Sequence, residues 1–501
     1  MLQQITQETL ERAQQAVLAA IRDPKLVRAI DTSVGLRGIT LEAPAKQLVP
    51  LMAPFRQKIG RKSQPGSNAV QWKSITGLGV TTKFSTTESA AANPFTYTKV
   101  DKSAGFKVVG RRGKVTREAR AESEGWDDVL ARETRNTLLL SMKEEEECIL
   151  GGNITALSAP AAPTVAVIDA GGTVAAQAGG YDVTIIALTL MAANRITIDR
   201  PGAFGASAAP INADAPLAGT ARYATAALAN PAQDGWSAAS AATTSAATAG
   251  GNDALRITWS PVNGAAAYAV FVIVAGGAET LECIVTQCQV TLTSLAGGGV
   301  AFNAANLAGN SADANIFNGI VPLTFADASA YKKNLAGKLT VAGNELVEIQ
   351  DMFQDRWDAM KCDDYSLLIG GNDSRTITRL MSSASGGPTI MVNPTEQGRT
   401  QITQGYHVGA VINSVTGRVC PVNVLPWLRS GMIIAVPNSI PYPDSEVPAP
   451  FEMATAYDWE RIDYAMTVSG GPVNEFETRE YAVLKDYFTA GVGIIHNIYF
   501  A

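Results

Sequence analysis

The side chains with the most chemical potential are few and lie in identifiable places along the 501 residues. Four consecutive glutamates, Glu144, Glu145, Glu146 and Glu147, offer carboxylates for a metal ion or for ion pairs. Successive side chains on a helix point about 100° apart, so at most two of the four can serve one metal ion, and a solvated or inter-subunit face is the better reading. Basic residues gather as Arg111, Arg112, Arg117 and Arg120, and again as Arg56, Lys58, Arg61 and Lys62. The second cluster suits non-specific contact with nucleic-acid phosphates or with an acidic neighbouring surface, and it lacks the interleaved aromatics that stack on bases.

Nothing in these patterns assembles a catalytic centre. The two histidines, His407 and His496, stand outside any HExxH, HxE or Cys/His-rich spacing, so histidine catalysis and zinc binding lack their ligands. The five cysteines, Cys148, Cys283, Cys288, Cys362 and Cys420, are scattered and odd in number, which reads as reduced thiols rather than a disulfide framework. There is no GxSxG, no GxxxxGK[ST], and no GxGxxG between a strand and a helix, so hydrolase, nucleotide and dinucleotide chemistry lack their anchors. The sequence predicts a protein that is no enzyme and needs no cofactor or metal.

The elements that must carry these residues follow from periodicity. From about Thr116 the pattern is helical for more than thirty residues, with Trp126, Leu130, Thr134, Leu138, Met142 and Ile149 near one face, until Gly151-Gly152 ends it. Acids at the start of this helix, Glu118 through Asp128, suit its dipole, whereas Glu144 to Glu147 sit at the end where acids are disfavoured. Basic residues must compensate them, and Arg111, Arg112, Arg117 and Arg120 of a neighbouring subunit are the expected partners. Upstream, residues 6–22 carry Leu10, Ala13, Val17 and Ile21 on one stripe, a short amphipathic helix. From Gly35 to about Gly113 the chain reads as an extended arm followed by a long two-stranded excursion with too little apolar content for its own core, so it must be disordered or lie against another surface, and the second option implies a neighbouring subunit.

An abrupt shift to Ala, Gly, Thr and Ser begins at Gly151, and as far as Ala330 the basic residues are Arg195, Arg200, Arg222 and Arg256. Alternation through Leu255–Trp259 and the turn Pro261-Val262-Asn263-Gly264 predict an antiparallel sandwich, with Trp259 and Tyr268 as core aromatics. Charged, mixed sequence then returns: a helix capped by Asn344 with Leu346, Ile349, Phe353, Trp357 and Met360 on one face, a strand at Tyr365–Ile369, a helix carrying Ile377 and Leu380, and hairpins near Gly417 and Gly470-Gly471. The flanks match in character, so the middle is read as a domain inserted into one larger α+β domain. With 40 basic against 46 acidic residues and a net charge of -6, the chain is not built mainly to coat nucleic acid. Its first residues lack the pattern of a secretory signal and no apolar stretch reaches the length of a membrane span, which predicts a protein made in the cytoplasm without membrane association.

In this order the flanks resemble the major capsid proteins of tailed double-stranded DNA phages, whose fold is shared with herpesvirus shells. The resemblance covers about two thirds of the chain. It rests on LVPLMAPFRQKIGRK, on GRRGKVTREARAESEGWDDVLARETRNTLLLSMKEEEECILGGN, on ELVEIQDMFQDRWDAMKCDDYSLLIGGNDSRTITRL, and on YDWERIDYAMTVSGGPVNEFETREYAVLKDYFTAGVGIIHNIYF. The resemblance implies an N-terminal helix and arm (1–66), an extended loop (67–114), a peripheral domain with a long spine helix (115–153), an axial domain (326–440) and a return to the peripheral domain (441–501). The middle, 154–325, resembles an immunoglobulin or fibronectin type III sandwich of the sort such shells carry as an outward insertion. The implied function is an icosahedral head shell, assembled in the host cytoplasm and found in the virion, with copies in hexamers and pentamers. Partners implied are a separate scaffolding protein, a portal, a decoration protein and packaged DNA. Some members of the family cross-link a loop lysine to an asparagine of the next subunit; Lys83 and Lys99 are loop lysines here, and exposed solubilising lysines are the plainer reading. Rival readings are a tail-tube or portal protein, a cell-surface adhesion or carbohydrate-binding protein suggested by the fibronectin-like stretch, and a shell protein fused to a protease, which would need a nucleophile with a supporting histidine.

Overall fold

The computed structural model of the chain describes residues 53–499 apart from 65–67, 81–86, 89–95, 124–127, 170, 195–234, 251, 274–278, 296–310, 343–344, 385–389, 395–399, 405–406, 442–446, 448 and 465–472. The amphipathic stripe of residues 6–22, Lys83, Trp126 and the capping role expected of Asn344 lie outside the described residues.

In chain order the strands are β1 (Gly60–Ser63), β2 (Ala69–Val80), β3 (Thr96–Gly105) and β4 (Lys107–Thr116). Two helices follow, α1 (Arg117–Ser123) and α2 (Val129–Gly151). The middle of the chain holds β5 (Thr164–Asp169), β6 (Asp182–Leu188), α3 (Leu190–Asn194), β7 (Trp236–Ala239), β8 (Thr243–Thr244), β9 (Asp253–Thr258), β10 (Ala267–Ile273), β11 (Glu279–Val285) and β12 (Gln289–Leu292). Then come α4 (Ile320–Ala326), β13 (Tyr331–Gly337), β14 (Val341–Ala342), β15 (Glu345–Leu346), α5 (Val347–Met360), β16 (Tyr365–Ile369) and α6 (Gly371–Ala384). The remaining strands are β17 (Ile390–Pro394), β18 (Thr400–Gln404), β19 (Ala410–Ile412), β20 (Val419–Val424), β21 (Met432–Pro437), β22 (Phe451–Tyr464), β23 (Val473–Asp486) and β24 (Gly493–Ile498).

Three assemblies result. A four-stranded sheet, β1-β22-β23-β4, carries α2 on one face. A six-stranded sheet, β13-β24-β21-β16-β20-β19, packs around α5, whose Ile349, Met352, Phe353 and Met360 are buried with Tyr365, Leu367 and Ile433. In the middle, β11-β10-β6-β7 faces β12-β9-β5 across a separate core that includes Tyr181, Val183, Ile185, Ile257, Trp259, Tyr268 and Val290. The Trp259 and Tyr268 rings meet edge to face at 5.5 Å. The sandwich enters and leaves the larger domain at one point: Gly319 N–H donates to Gly152 O at 2.7 Å and Asp313 N–H to Asn153 O at 3.0 Å.

Four features differ from the sequence expectations. First, the helical stretch after Thr116 is two helices, because Asp128 takes a non-helical conformation and its side chain accepts from Ala131 N–H, starting α2 afresh. Second, the side of α2 turned to the sheet is polar: Thr137, Ser141 and Glu145 are buried, while Leu130, Leu138 and Met142 are half-buried. The strand opposite explains this, since β23 presents Thr478 and Glu480 there, with Thr478 Oγ1 3.3 Å from Ser141 Oγ. Third, the extended excursion is the β2–β3 ribbon and ends at Gly105; β4 belongs to the four-stranded sheet, paired to β23 from Thr116↔Val473 to Lys107↔Ala482. Fourth, the last strand, β24, runs between β13 and β21 of the six-stranded sheet, whereas β22 and β23 belong to the four-stranded one.

Candidate functional site

The most densely charged buried place among the described residues lies where the arm crosses the last turns of α2. Ala53, Phe55 and the 3-10 turn Arg56–Lys58 lead into β1, which pairs in parallel with β22 from Gly60↔Glu452 to Ser63↔Thr455. This path holds Arg56 and Arg61 over α2. Glu145, 1% exposed, accepts from Arg56 Nε, from Arg61 Nη2 and, at 3.0 Å, from the Trp459 indole. Arg61 also reaches Asp458 at 2.7 Å and Glu480 at 3.0 Å. Glu146 Oε2 accepts the backbone N–H groups of Phe55 and Arg56, each at 3.1 Å. Acids near a helix C-terminus are disfavoured by the dipole, and here two guanidiniums and two backbone N–H groups offset them.

The four glutamates thus have four different surroundings. Glu144 pairs with Arg111, whose Nε lies 2.7 Å from Glu144 Oε2. Glu145 and Glu146 hold the arm, and Glu147 is buried with Lys143 Nζ at 3.7 Å. The sequence expectation sought partners on another subunit; the pairs observed for Glu144, Glu145 and Glu146 are within the chain, because β1 and β4 both run beside α2. Arg112 is directed away, pairing with Glu475 and lying over the Tyr464 ring at 5.3 Å, while Arg117 and Arg120 are exposed on α1. The cluster expected to meet nucleic acid or a neighbour is likewise divided. Arg56 and Arg61 are engaged by the carboxylates, Lys58 Nζ donates to Asn423 Oδ1 at 2.8 Å, and Lys62 is exposed.

Burial, the largest cause, pushes the Glu146 carboxyl up to about 7 against the two backbone N–H bonds and the Arg56 charge. Burial together with the Glu145 charge also raises Glu480, in spite of Arg61. Arg61 is held above its ordinary range, burial opposing and Glu145, Glu480 and Asp458 supporting its charge. The sequence reading missed Trp459, 314 residues from the Glu145 it bonds, and Asp458 and Glu480, 397 and 419 residues from the Arg61 they share. A signal existed: in β23 Phe476, Thr478, Ala482 and Leu484 alternate on the buried face, and Glu480 sits on the same parity. An acid at an inward position asks for a cation.

All five cysteines are free and buried, and burial pushes Cys288 and Cys362 each up to about 12. His496 is buried on β24 against the Phe325 ring at 5.2 Å, and burial lowers it to about 4. Among the described residues no group of three His, Cys, Asp or Glu side chains is placed to hold a metal ion, and no helix is long and apolar enough to cross a membrane.

No protein-family model matches the chain, and no curated protein matches it. Solved structures do align over almost its whole length. The capsid of a native GTA particle has a TM-score of 0.38 at 7% identity, covering 93% of this chain and 94% of that one. A structure described as Microbacterium phage Oxtober96 gives 0.40 at 7%, covering 94% and 97%. The capsid asymmetric unit of cyanophage A-1(L) gives 0.40 at 9%, covering 93% and 97%.

Proposed function

We propose that the chain is a shell-forming subunit, the major capsid protein of a tailed phage, built to assemble with copies of itself. The observation that carries this reading is the β2–β3 ribbon. Its base is anchored: Val70 and Ser74 are buried and the Trp72 indole donates to Asp486 O at 2.9 Å. Beyond Ile75, whose N–H donates to Tyr487 O at 2.8 Å, the two strands pair with each other as far as Val80↔Thr96, and Thr98, Lys99 and Val100 are exposed. A two-stranded ribbon is marginal on its own in water, so a projection of this length makes physical sense when a neighbouring copy supplies the surface beneath it. The half-buried Leu130, Leu138 and Met142 of α2 add apolar area for the same purpose. On this reading the copies form hexamers and pentamers with a separate scaffolding protein, around a portal and packaged DNA, with a decoration protein as a further expectation; Lys99, read as a loop lysine, lies on β3 and carries no cross-link in this account.

Negative-stain microscopy of the expressed full-length chain tests the proposal. Closed shells are expected, with the scaffolding protein supplied if the chain alone stays dispersed. Tubes would instead favour a tail-tube protein, rings a portal, and particles that never exceed the single chain would overturn the assembly reading. A variant with residues 76–99 replaced by a tight turn should keep the near-ultraviolet circular dichroism of the parent and form no shells. Shells from that variant would remove the ribbon from the account.

A further inference from the structure

The arm is fastened by a cluster in which buried acids outnumber bases. Glu145, Glu146 and Glu480 are 1%, 0% and 1% exposed. The two guanidiniums brought to them are those of Arg56 and Arg61, and Asp458 draws on Arg61 from a more exposed position. Two carboxylate oxygens, Glu146 Oε1 and Glu480 Oε2, are buried without a hydrogen-bond donor. An ionised carboxylate with an oxygen so placed loses far more hydration energy than a protonated one.

The other charges around the cluster do not make up the difference. On α2, Lys143 is drawn to Glu147 and Glu144 is taken by Arg111 of β4. On the arm Lys58 is bonded to Asn423 and Lys62 is exposed. On β22 and β23, Glu460 and Arg479 pair with each other at 3.6 Å, and Lys485 faces Glu452 at 3.9 Å.

We propose that this cluster is a proton-controlled latch: the arm segment Ala53–Gln64 docks firmly on α2 and β23 while Glu146 and Glu480 are protonated, and loosens when both ionise. The direction follows from linkage. Glu146 moves from an ordinary 4.5 to about 7 in the docked state, so the docked state binds the proton more tightly than the released one. Its stabilisation is complete below about 4.5 and is lost as the pH rises through about 7. Glu480 is raised in the same sense. The latch rests on contacts within one chain and holds whether or not the chain forms shells.

Hydrogen–deuterium exchange on the unassembled full-length protein tests it, because the Phe55 and Arg56 amides donate directly to Glu146. Protection of residues 53–64, corrected for intrinsic exchange, should fall by about tenfold or more between about pH 6 and about pH 8.5, while peptides of β21 keep theirs. Glu480→Gln, which keeps one member neutral, should lose only the Glu146 share and so fall by clearly less than the parent, and Glu146→Gln should likewise lose only the Glu480 share if the first variant folds poorly. Protection of the arm that changes by less than about twofold in the parent overturns the latch. So does a loss in both variants equal to the parent's, or a loss shared by β21, which would mean general unfolding.

Discussion

At the scale of single residues, burial decides which charges matter. Glu145 serves two guanidiniums and an indole N–H while nearly inaccessible, so removing it strands cations in a half-buried site. Glu145→Ala is therefore expected to cost about 3 kcal/mol, in the range for breaking a buried pair by deleting one partner. Asp458, whose side chain is 59% exposed, contacts the same Arg61, yet solvent screening should hold the loss from Asp458→Ala below about 1 kcal/mol. Chemical denaturation of the two variants at neutral pH checks the pair, and equal losses would mean that Glu145 is not the centre of the cluster. The glutamate run was legible in the sequence as a place needing cations, because its position on the helix dipole is unfavourable. Which cations answered it was not legible, since Arg56, Arg61 and Trp459 are brought there by the parallel pairing of β1 with β22, a contact between segments almost four hundred residues apart.

At the scale of elements, two glycines that look alike in sequence differ sharply in what they allow. Gly152 caps α2 where the sandwich departs, and a Cβ there would lie 2.4 Å from Phe317 O and 2.7 Å from Cys148 O, both backbone atoms. Gly417 lies in the turn between β19 and β20 at φ 73°, with nothing within 4 Å of its virtual Cβ. Gly417→Ala should cost about 1 kcal/mol for the left-handed conformation alone. Gly152→Ala must displace backbone where both ends of the inserted segment meet, and should lower the thermal midpoint further than Gly417→Ala does. The reverse order would show that the junction is softer than its geometry. Elements with a strong period, α2 from Leu130 onward, α5 and the alternating β9, could be read from the sequence. The break at Asp128 could not, because Asp is tolerated inside a helix and becomes a cap only when its side chain turns back to Ala131 N–H. Nor could the polar inner side of α2, since hydrophobic spacing points to Leu130, Leu138 and Met142, whereas the small and polar face of β23 decides which side lies inward.

At the scale of the whole molecule, the middle third was expected to be an outward sandwich attached at its ends, and its packing is more intimate than that. The sheet β11-β10-β6-β7 is covered on both faces. Val183, Ile185, Tyr268, Val270 and Val272 face the sandwich core, while Ile186, Leu188, Ala267, Ala269 and Phe271 belong to the same core as Ile149, Phe451, Met453 and Ile494 of the larger domain. Polar contacts reinforce the join: Asn194 Nδ2 donates to Trp427 O at 2.8 Å, Arg429 Nη2 to Ala193 O at 2.7 Å, and Cys288 N–H to Asn497 Oδ1 at 2.8 Å. The sequence hinted at this only in the run Ala267–Ile273, which is apolar at every position, as a strand buried on both faces must be. Two consequences can be measured. The intact chain should unfold in one cooperative transition rather than melting the sandwich separately, because neither part has a complete apolar boundary alone. Deleting residues 154–318 and joining Asn153 to Gly319 by a short flexible linker should be easy for the backbone, given the Gly319 to Gly152 hydrogen bond, and yet ruinous for folding. The uncovered patch predicts an insoluble product or one that binds a hydrophobic dye strongly. A soluble, dye-silent deletion protein with the parent's remaining circular dichroism would show that the shared core is dispensable and that the sandwich is a passenger on the larger domain.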